Sequence, residues 1–453
     1  MNSVEEKWDL VIAGAGPAGC ALAAKSAAHG FKVLVLERED EPGRGRDWVV
    51  DVEKTVFEAA DVPFPERDAL RDDCESEVMV SPVAGHEVTL LPAPIVPIRN
   101  GAYMRQLAAW AGEKGADIRT GHSVLGPVME EGALKGVRYK GSNGAESTAS
   151  ASVVADCTGL TGAVRRCTPS EWAIDGDVGP PDIVLARREV RKVDVKAAAG
   201  EVEKGKIRNK VRTGIVSGIG TYSTQLYYLD LDEGYIDILV GVKPHPELPT
   251  PEEWFKRKLE EWTFVGDKIF GDGGPIPIRR SWDALAGDGF VVLGDSACQV
   301  IPAHGSGTAS ALIAADLASK TVIRALEKGR FDRAVLWDYC HAYQSGRGAL
   351  LAYFDVMRRH TDTVGPRDVD KMIRYGILSA EENYSGSVPE LYELGVSGAL
   401  KKAIKAIPAL NILAGFAGAS MRANKLMKHY QQYPEKYSAE ALSTWITGLS
   451  GLY

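Results

Sequence analysis

The stretch that most limits what this chain can fold into is residues 8–39, WDLVIAGAGPAGCALAAKSAAHGFKVLVLERE. Residues 8–13 are an apolar run of strand length, and Gly14, Gly16 and Gly19 follow at once in G-x-G-x-x-G spacing. An alanine-rich segment predicts a helix over 20–29, Gly30 stops it, and residues 32–36 read as a second strand ending at Glu37. Strand, glycine turn, helix and second strand with a terminal acid, within about 30 residues, is the pattern of a βαβ dinucleotide-binding unit. Each part has a physical task. Gly14 permits the tight turn, Gly16 lets a pyrophosphate approach the backbone, and Gly19 lets the helix pack on the strand. The helix start offers unpaired N–H groups and a positive dipole end to phosphates. Glu37 can accept hydrogen bonds from both hydroxyls of an unphosphorylated adenosine ribose. The unit alone does not choose between FAD and NAD.

Composition narrows the partners. A chain of 453 residues exceeds one small core, so two to three domains are expected. A net charge of −8 leaves no broad basic field for nucleic acid. The six cysteines, at 20, 74, 157, 167, 298 and 340, form no C-x-x-C pair. That gives no sign of a zinc ribbon, a reactive dithiol or a cysteine-ligated cluster, and no metal site is expected. Scattered thiols, a polar start without a secretory pattern and no clean span of about 20 apolar residues suggest a cytoplasmic protein.

Further along, residues 42–47 (PGRGRD) form a turn-rich loop. Its arginines fall where a chain leaving the nucleotide site passes flavin or pyrophosphate, although a solvated basic loop reads equally well. Residues 50–60 read as a helix and 77–91 as strands. Met104, Leu107, Ala108 and Ala111 give a helical stripe over 103–114. A strand follows over 116–123 into Val124, then a hairpin over 128–147 turning at 141–144, and a buried strand over 152–157. Residues 168–275 are strand-rich, with a charged stretch at 199–210 and a helix carrying Trp254, Phe255 and Trp262. Residues 290–295 return to a buried strand, 308–327 form a long helix, and the chain from 334 onward is mostly helical. The expected fold is α/β, a Rossmann unit with an inserted antiparallel-sheet domain and a C-terminal helical region. The expected boundaries are 1–60, 95–165 and 276–335 for the nucleotide domain, 61–94 and 166–275 for the substrate domain, and 336–453 for the helical one.

The second informative stretch is residues 294–308, GDSACQVIPAHGSGT. Asp295, after an apolar strand, can hydrogen-bond a ribityl hydroxyl. Gly307 and Thr308 then open a helix whose positive end can face a flavin pyrimidine edge and stabilise negative charge on the reduced ring. Gly305 and Gly307 keep side chains out of the ring plane. With the opening unit, this pattern selects FAD.

Residues 8–37, Asp156-Cys157-Thr158-Gly159 and the 294–308 run together resemble the FAD-dependent geranylgeranyl reductase family, its archaeal-type members above all. The family belongs to the glutathione-reductase-like, hydroxybenzoate-hydroxylase-like flavoproteins, and the resemblance covers roughly residues 8–345. It implies FAD contacts at Gly14, Gly16, Ala18 and Gly19 in the phosphate turn and at Glu37 and Arg38 after the second strand. It also implies Arg46, Asp47 and Arg99 toward the pyrophosphate, Val124 at the adenine, Gly159, and Asp295, Gly305, Gly307 and Thr308 at the flavin end. Two departures stand out. Family members often carry Cys-Gly-Asp where this chain has Gly45-Arg46-Asp47. Many carry Tyr-x-Trp-x-Phe-Pro where this chain has Tyr228-Leu229-Asp230-Leu231-Asp232, with Gly241 beyond.

The resemblance implies reduction of C=C bonds in an isoprenoid lipid or prenylated quinone. Electrons would come from an external donor, ferredoxin or reduced nicotinamide, since no second dinucleotide unit is legible. Catalytic candidates are His304, Tyr228 and Arg46. Cys298 beside the flavin loop reads more simply as a small buried thiol, and Trp254, Trp262 and Trp282 as core rather than tunnel wall. Residues 398–428 carry an uncharged run, 407–421, between two basic clusters. A buried helix pair is the simpler reading, and peripheral contact with the inner face of a membrane is the other. Two further functions stay open: a flavin monooxygenase or halogenase, and an FAD-binding lipid carrier without catalysis.

Overall fold

A computed structural model describes residues 6–43, 47–71, 74, 76–174, 176–216, 224–381, 388–391 and 396–452. The apolar strand Glu6–Ala13 is the centre of the first sheet. It pairs in parallel with Val33–Leu36 on one side and with Glu146–Asp156 on the other. Asp117–Arg119 extends the sheet beyond Val33–Leu36. Phe290–Val292 adds a parallel strand beyond Glu146–Asp156, and Ala286–Gly287 closes that edge. Strands buried on both faces read as continuous apolar runs, and Leu10 to Ala13 and Val33 to Leu36 are all buried.

The helix Pro17–Ala28 is built almost wholly from small residues. Nine of its residues are buried, because it lies against the sheet and between two other helices, Asn100–Glu113 and Thr308–Lys328. Its start sits directly on the glycine turn: a Cβ at Gly19 would stand 2.0 Å from the carbonyl oxygen of Gly14. Gly14 adopts φ +100°, and a Cβ there would meet the Cys157 carbonyl at 2.4 Å. Glycine is required at both positions by the approach of backbone to backbone.

The second sheet has seven strands, in the spatial order Val265–Pro277, Ile183–Val193, Tyr235–Val242, Thr224–Asp230, Val211–Val216, Ser76–Val80 and Glu87–Thr89. Its outer side is covered by the helix Pro251–Glu261. There Phe255, Trp254 and Trp262 pack with Tyr227, Ile238 and Phe264 as plain core. Trp282 is core too, donating from Nε1 to the Ser296 carbonyl at 2.8 Å. The expected helix over 50–60 is divided between a strand and a single helical turn. Val49–Glu53 pairs antiparallel with Ile95–Arg99, and only Val56–Ala59 is helical. Valines at 49, 50 and 52 favour the extended form once a partner strand is present.

The C-terminal region is helical, with Arg333–Tyr343, Ala349–Thr361 and Pro366–Arg374, then Val396–Lys405, Leu410–Tyr430 and Ala439–Gly448. Residues 398–428 are not a buried pair. Leu400, Ile404, Ile407, Leu410 and Met421 are exposed.

Candidate active site

Two helix starts define the site. Pro17–Ala28 and Thr308–Lys328 both have glycine at the N-cap, Gly16 and Gly307, and neither receives a side-chain cap or carries an acid in its first turn. Four other helices are capped by side chains: Asp194, Thr250, Asp332 and Ser438 each accept an N–H of the helix they begin. Helix starts that lack side-chain partners are suited to an anion or polar ligand. A Cβ at Gly16 would meet nothing within 4 Å, so this face of the turn is open. The open turn and the two uncapped starts fit a dinucleotide with a pyrophosphate at one end and a polarised ring at the other.

At the adenosine end, Glu37 closes the turn. Its carboxylate accepts the Ala15 N–H at 2.7 Å and the Glu39 N–H at 3.0 Å, leaving further lone pairs for hydroxyl donors. The Glu37 carbonyl accepts the His122 N–H, and its own N–H donates to Arg119, which brings the chain leading to Val124 beside it. Arg38 is exposed and paired with Glu39 at 3.1 Å. Arg99 is held by Asp47 through a two-point contact, Nε to Oδ1 at 2.9 Å and Nη2 to Oδ2 at 2.5 Å, and lies 4.4 Å over the Phe270 ring. Asp47 and Arg99 border a cleft of about 350 Å³ with Arg105 and Lys268. Arg46 and its neighbours Arg44 and Gly45 lie outside the described residues.

At the other end, Gly159–Thr161 packs on Gly294–Ala297, so the turns after two neighbouring strands meet. The buried Asp156 spends its carboxylate on the Thr158, Val164 and Arg165 N–H groups and on the Thr158 hydroxyl, which fixes the loop that carries Gly159. Asp295 reaches Gly307: a Cβ there would lie 3.0 Å from Oδ1. The Gln299 side chain holds the Gly294 N–H at 2.7 Å and the Tyr339 hydroxyl at 2.8 Å, bracing the run from below. Cys298 is fully buried, and burial pushes its thiol up to about 12, so it stays protonated. His304 is exposed, and its Nδ1 accepts the Ser306 N–H at 3.3 Å, which assigns the ring proton of the neutral form to Nε2.

One face of the second sheet is lined by charges that sequence reasoning did not single out. Val190, Asp237 and Tyr228 stand opposite one another across three strands and so share one face of the second sheet. Arg188 holds Asp237 from Nε and from Nη2, the latter at 2.7 Å, and donates to the Val49 carbonyl at 3.1 Å. Arg212 donates to Asp51 at 3.1 Å, and Arg188 lies 3.6 Å from the other Asp51 oxygen. The Asp51 carbonyl in turn accepts the Ser306 hydroxyl at 2.9 Å. The strand Val49–Glu53 therefore joins the sheet to the flavin loop. Its last residue, Glu53, pairs with Arg347, which also donates to the Ser310 hydroxyl in the first turn of Thr308–Lys328. Burial acts to raise Asp51, but Arg212, Arg188 and His304 together hold its carboxyl below the usual range. Tyr228 is buried with Tyr235 and Phe270 and donates to Asp230 at 3.3 Å, beside a cavity of only about 10 Å³. The available signal was charge inside strands: Arg187-Arg188-Glu189 in one apolar run and Asp237 in another.

A family model for FAD dependent oxidoreductases matches residues 9–167. The digeranylgeranylglycerophospholipid reductase of Sulfolobus acidocaldarius is 25% identical over 452 residues, covering 97% of this chain and 96% of the relative. A reductase of the same name from Methanothermobacter thermautotrophicus is 26% identical, covering 81% of this chain and 91% of its own length. The crystal structure of a geranylgeranyl bacteriochlorophyll reductase-like protein from Thermoplasma acidophilum superposes with a TM-score of 0.73 at 18% identity, covering 93% of this chain and all of that one. This chain is similar over most of its length to these reductases. Its cofactor is FAD, and its fold is the glutathione-reductase-like one that the resemblance implied. The fold reaches beyond the reductases. A flavin-dependent brominase superposes with a TM-score of 0.61 at 14% identity, covering 89% of this chain.

Proposed function

We propose that this flavoprotein saturates C=C bonds of an isoprenoid lipid of the geranylgeranyl class. The observation that carries the reading is the flavin end, with Asp295 set against Gly307 at an uncapped helix start, in a chain whose full-length relatives are named as reductases of such lipids. Bound FAD, once reduced, supplies the hydride. The residues of the chain do the rest. Gly14, Gly16, Ala18 and Gly19 receive the pyrophosphate, Glu37 the ribose, and Asp295, Gly305, Gly307 and Thr308 the ribityl and ring edge. An isolated alkene accepts hydride poorly, so a proton must be placed on the second carbon as the first is attacked. Nε2 of His304 is the donor in this scheme, and Asp51, fixed by Arg188 and Arg212, supplies negative charge beside its protonated form. In this reading residues 1–60, 95–165 and 276–335 hold the flavin, 61–94 and 166–275 form the substrate domain, and 336–453 the helical one. Ferredoxin or a reduced nicotinamide supplies the electrons, and residues 398–428 give peripheral contact with the inner face of a membrane.

The test is product mass. Protein reduced with dithionite under argon and mixed with a geranylgeranyl glycerophospholipid yields a product heavier by two mass units per saturated bond. A product heavier by 16 units, formed only in air, would replace the reductase reading with a monooxygenase.

A further inference from the structure

Surface helices ordinarily turn charge to water and apolar residues inward. The knee between Val396–Lys405 and Leu410–Tyr430 turns large apolar residues outward as well. The two segments meet at 75°, and their outward face carries Leu400, Ile404, Ile407, Leu410 and Met421, each between 48% and 64% exposed. Along the longer helix, Leu410, Ala414, Ala417 and Met421 follow one another on the exposed side for about 16 Å. Lys425 and Lys428 continue the same face. The inward face is anchored: Ile412, Ala419, Ala423, Leu426 and Tyr430 are buried. Ala406 and Ala409 pack with Val369 and Met372, and Met79 of the second sheet joins that cluster.

Charge selects the partner. In a chain of net charge −8, the stretch between Glu393 and Glu435 contains no acid and six Lys or Arg residues. We infer that this knee is a docking surface for the anionic face of a lipid bilayer, with the five apolar side chains entering the headgroup boundary and the basic flanks reading the lipid phosphates. A second copy of the chain is the poorer occupant, because an isologous contact would press the same cations together. No single helix among the described residues is long and apolar enough to cross a membrane, and the uncharged run 407–421 falls short of a span by itself. The inference rests on the lipid-reductase reading for its purpose: the substrate is met where it resides.

The experiment is flotation of FAD-loaded protein with vesicles of equal parts phosphatidylcholine and phosphatidylglycerol. The protein floats at low salt, and at least tenfold less floats with phosphatidylcholine alone. Each basic residue near an anionic surface strengthens binding about fivefold, so high salt also releases the protein. The triple variant Leu400→Glu, Ile404→Glu, Ile407→Glu loses binding by more than tenfold, while Val195→Glu, at an exposed apolar position elsewhere, floats like the parent. Each variant is checked for retained flavin absorbance and for turnover of detergent-solubilised lipid. Undiminished flotation of the triple variant, or parent protein that stays at the bottom with anionic vesicles, overturns the proposal. So does a dimer that the triple variant breaks without any vesicle binding. Vesicle binding without turnover of solubilised lipid would overturn the reductase reading and leave the docking surface standing.

Discussion

The Asp51 carboxylate is pulled in two directions. Burial acts to raise its pKa, while Arg212, Arg188 and His304 act to lower it and prevail. A carboxyl depressed in the folded state stabilises the fold fully above its unfolded value of about 3.9, and that contribution disappears as pH falls through the lower folded value. Asp51→Asn should therefore be less stable than the parent at neutral pH. Below about pH 4 the difference from the parent should shrink, as urea titrations at several pH values will show. His304→Gln acts on chemistry instead. Turnover should fall by about 100-fold or more, while dithionite reduction of the flavin keeps its rate, which single-turnover absorbance resolves. None of this was legible beyond His304 itself. Asp51, Arg188, Arg212 and Asp237 lie far apart in the chain and become neighbours only through the pairing of the second sheet with Val49–Glu53.

At the scale of elements, the two glycine-headed helices separate stability from binding. Gly19→Ala places a Cβ 2.0 Å from a backbone oxygen that cannot move aside. The strand and helix must part, at a cost of about 3 kcal/mol. Gly307→Ala meets side chains rather than close backbone, Asp295 Oδ1 at 3.0 Å and a Val300 methyl at 3.3 Å. Its apoprotein should melt within a degree or two of the parent, while FAD affinity falls at least tenfold by flavin fluorescence. These elements were legible because close backbone approach leaves glycine as the only solution. The strand Val49–Glu53 was not: its few valines acquire a preference only from the partner strand Ile95–Arg99. The knee was misread as a buried pair for the opposite reason. Its composition is that of a core helix, and only the packing of Ile412, Ala423 and Leu426 decides which face is left outside.

Across the whole molecule, Arg358 ties the C-terminal helices to the second sheet. Its guanidinium is 1% exposed and meets Asp182 at 2.9 Å, Asp355 at 2.5 Å, Asp362 at 3.0 Å and the Pro181 carbonyl at 2.9 Å. Lys243 joins from the next strand, 2.6 Å from Asp362. Removing one member of a buried ion cluster leaves its partners uncompensated, so Arg358→Ala should cost about 3–5 kcal/mol. Flavin release and tryptophan fluorescence should report that loss together in denaturant if the region folds with the rest. The chain then reads as one arrangement: a dinucleotide grip legible from residues 8–39, a flavin edge legible from 294–308, and a charged sheet face between them that only the fold assembles. The most direct measurement of what that arrangement does is anaerobic stopped-flow. Protein carrying dithionite-reduced FAD, freed of excess reductant, is mixed with a geranylgeranyl lipid, and flavin absorbance is followed without oxygen. Reoxidation at a rate that rises with lipid concentration, and that His304→Gln slows, is the expected result. Flavin that stays reduced until oxygen is admitted would contradict it.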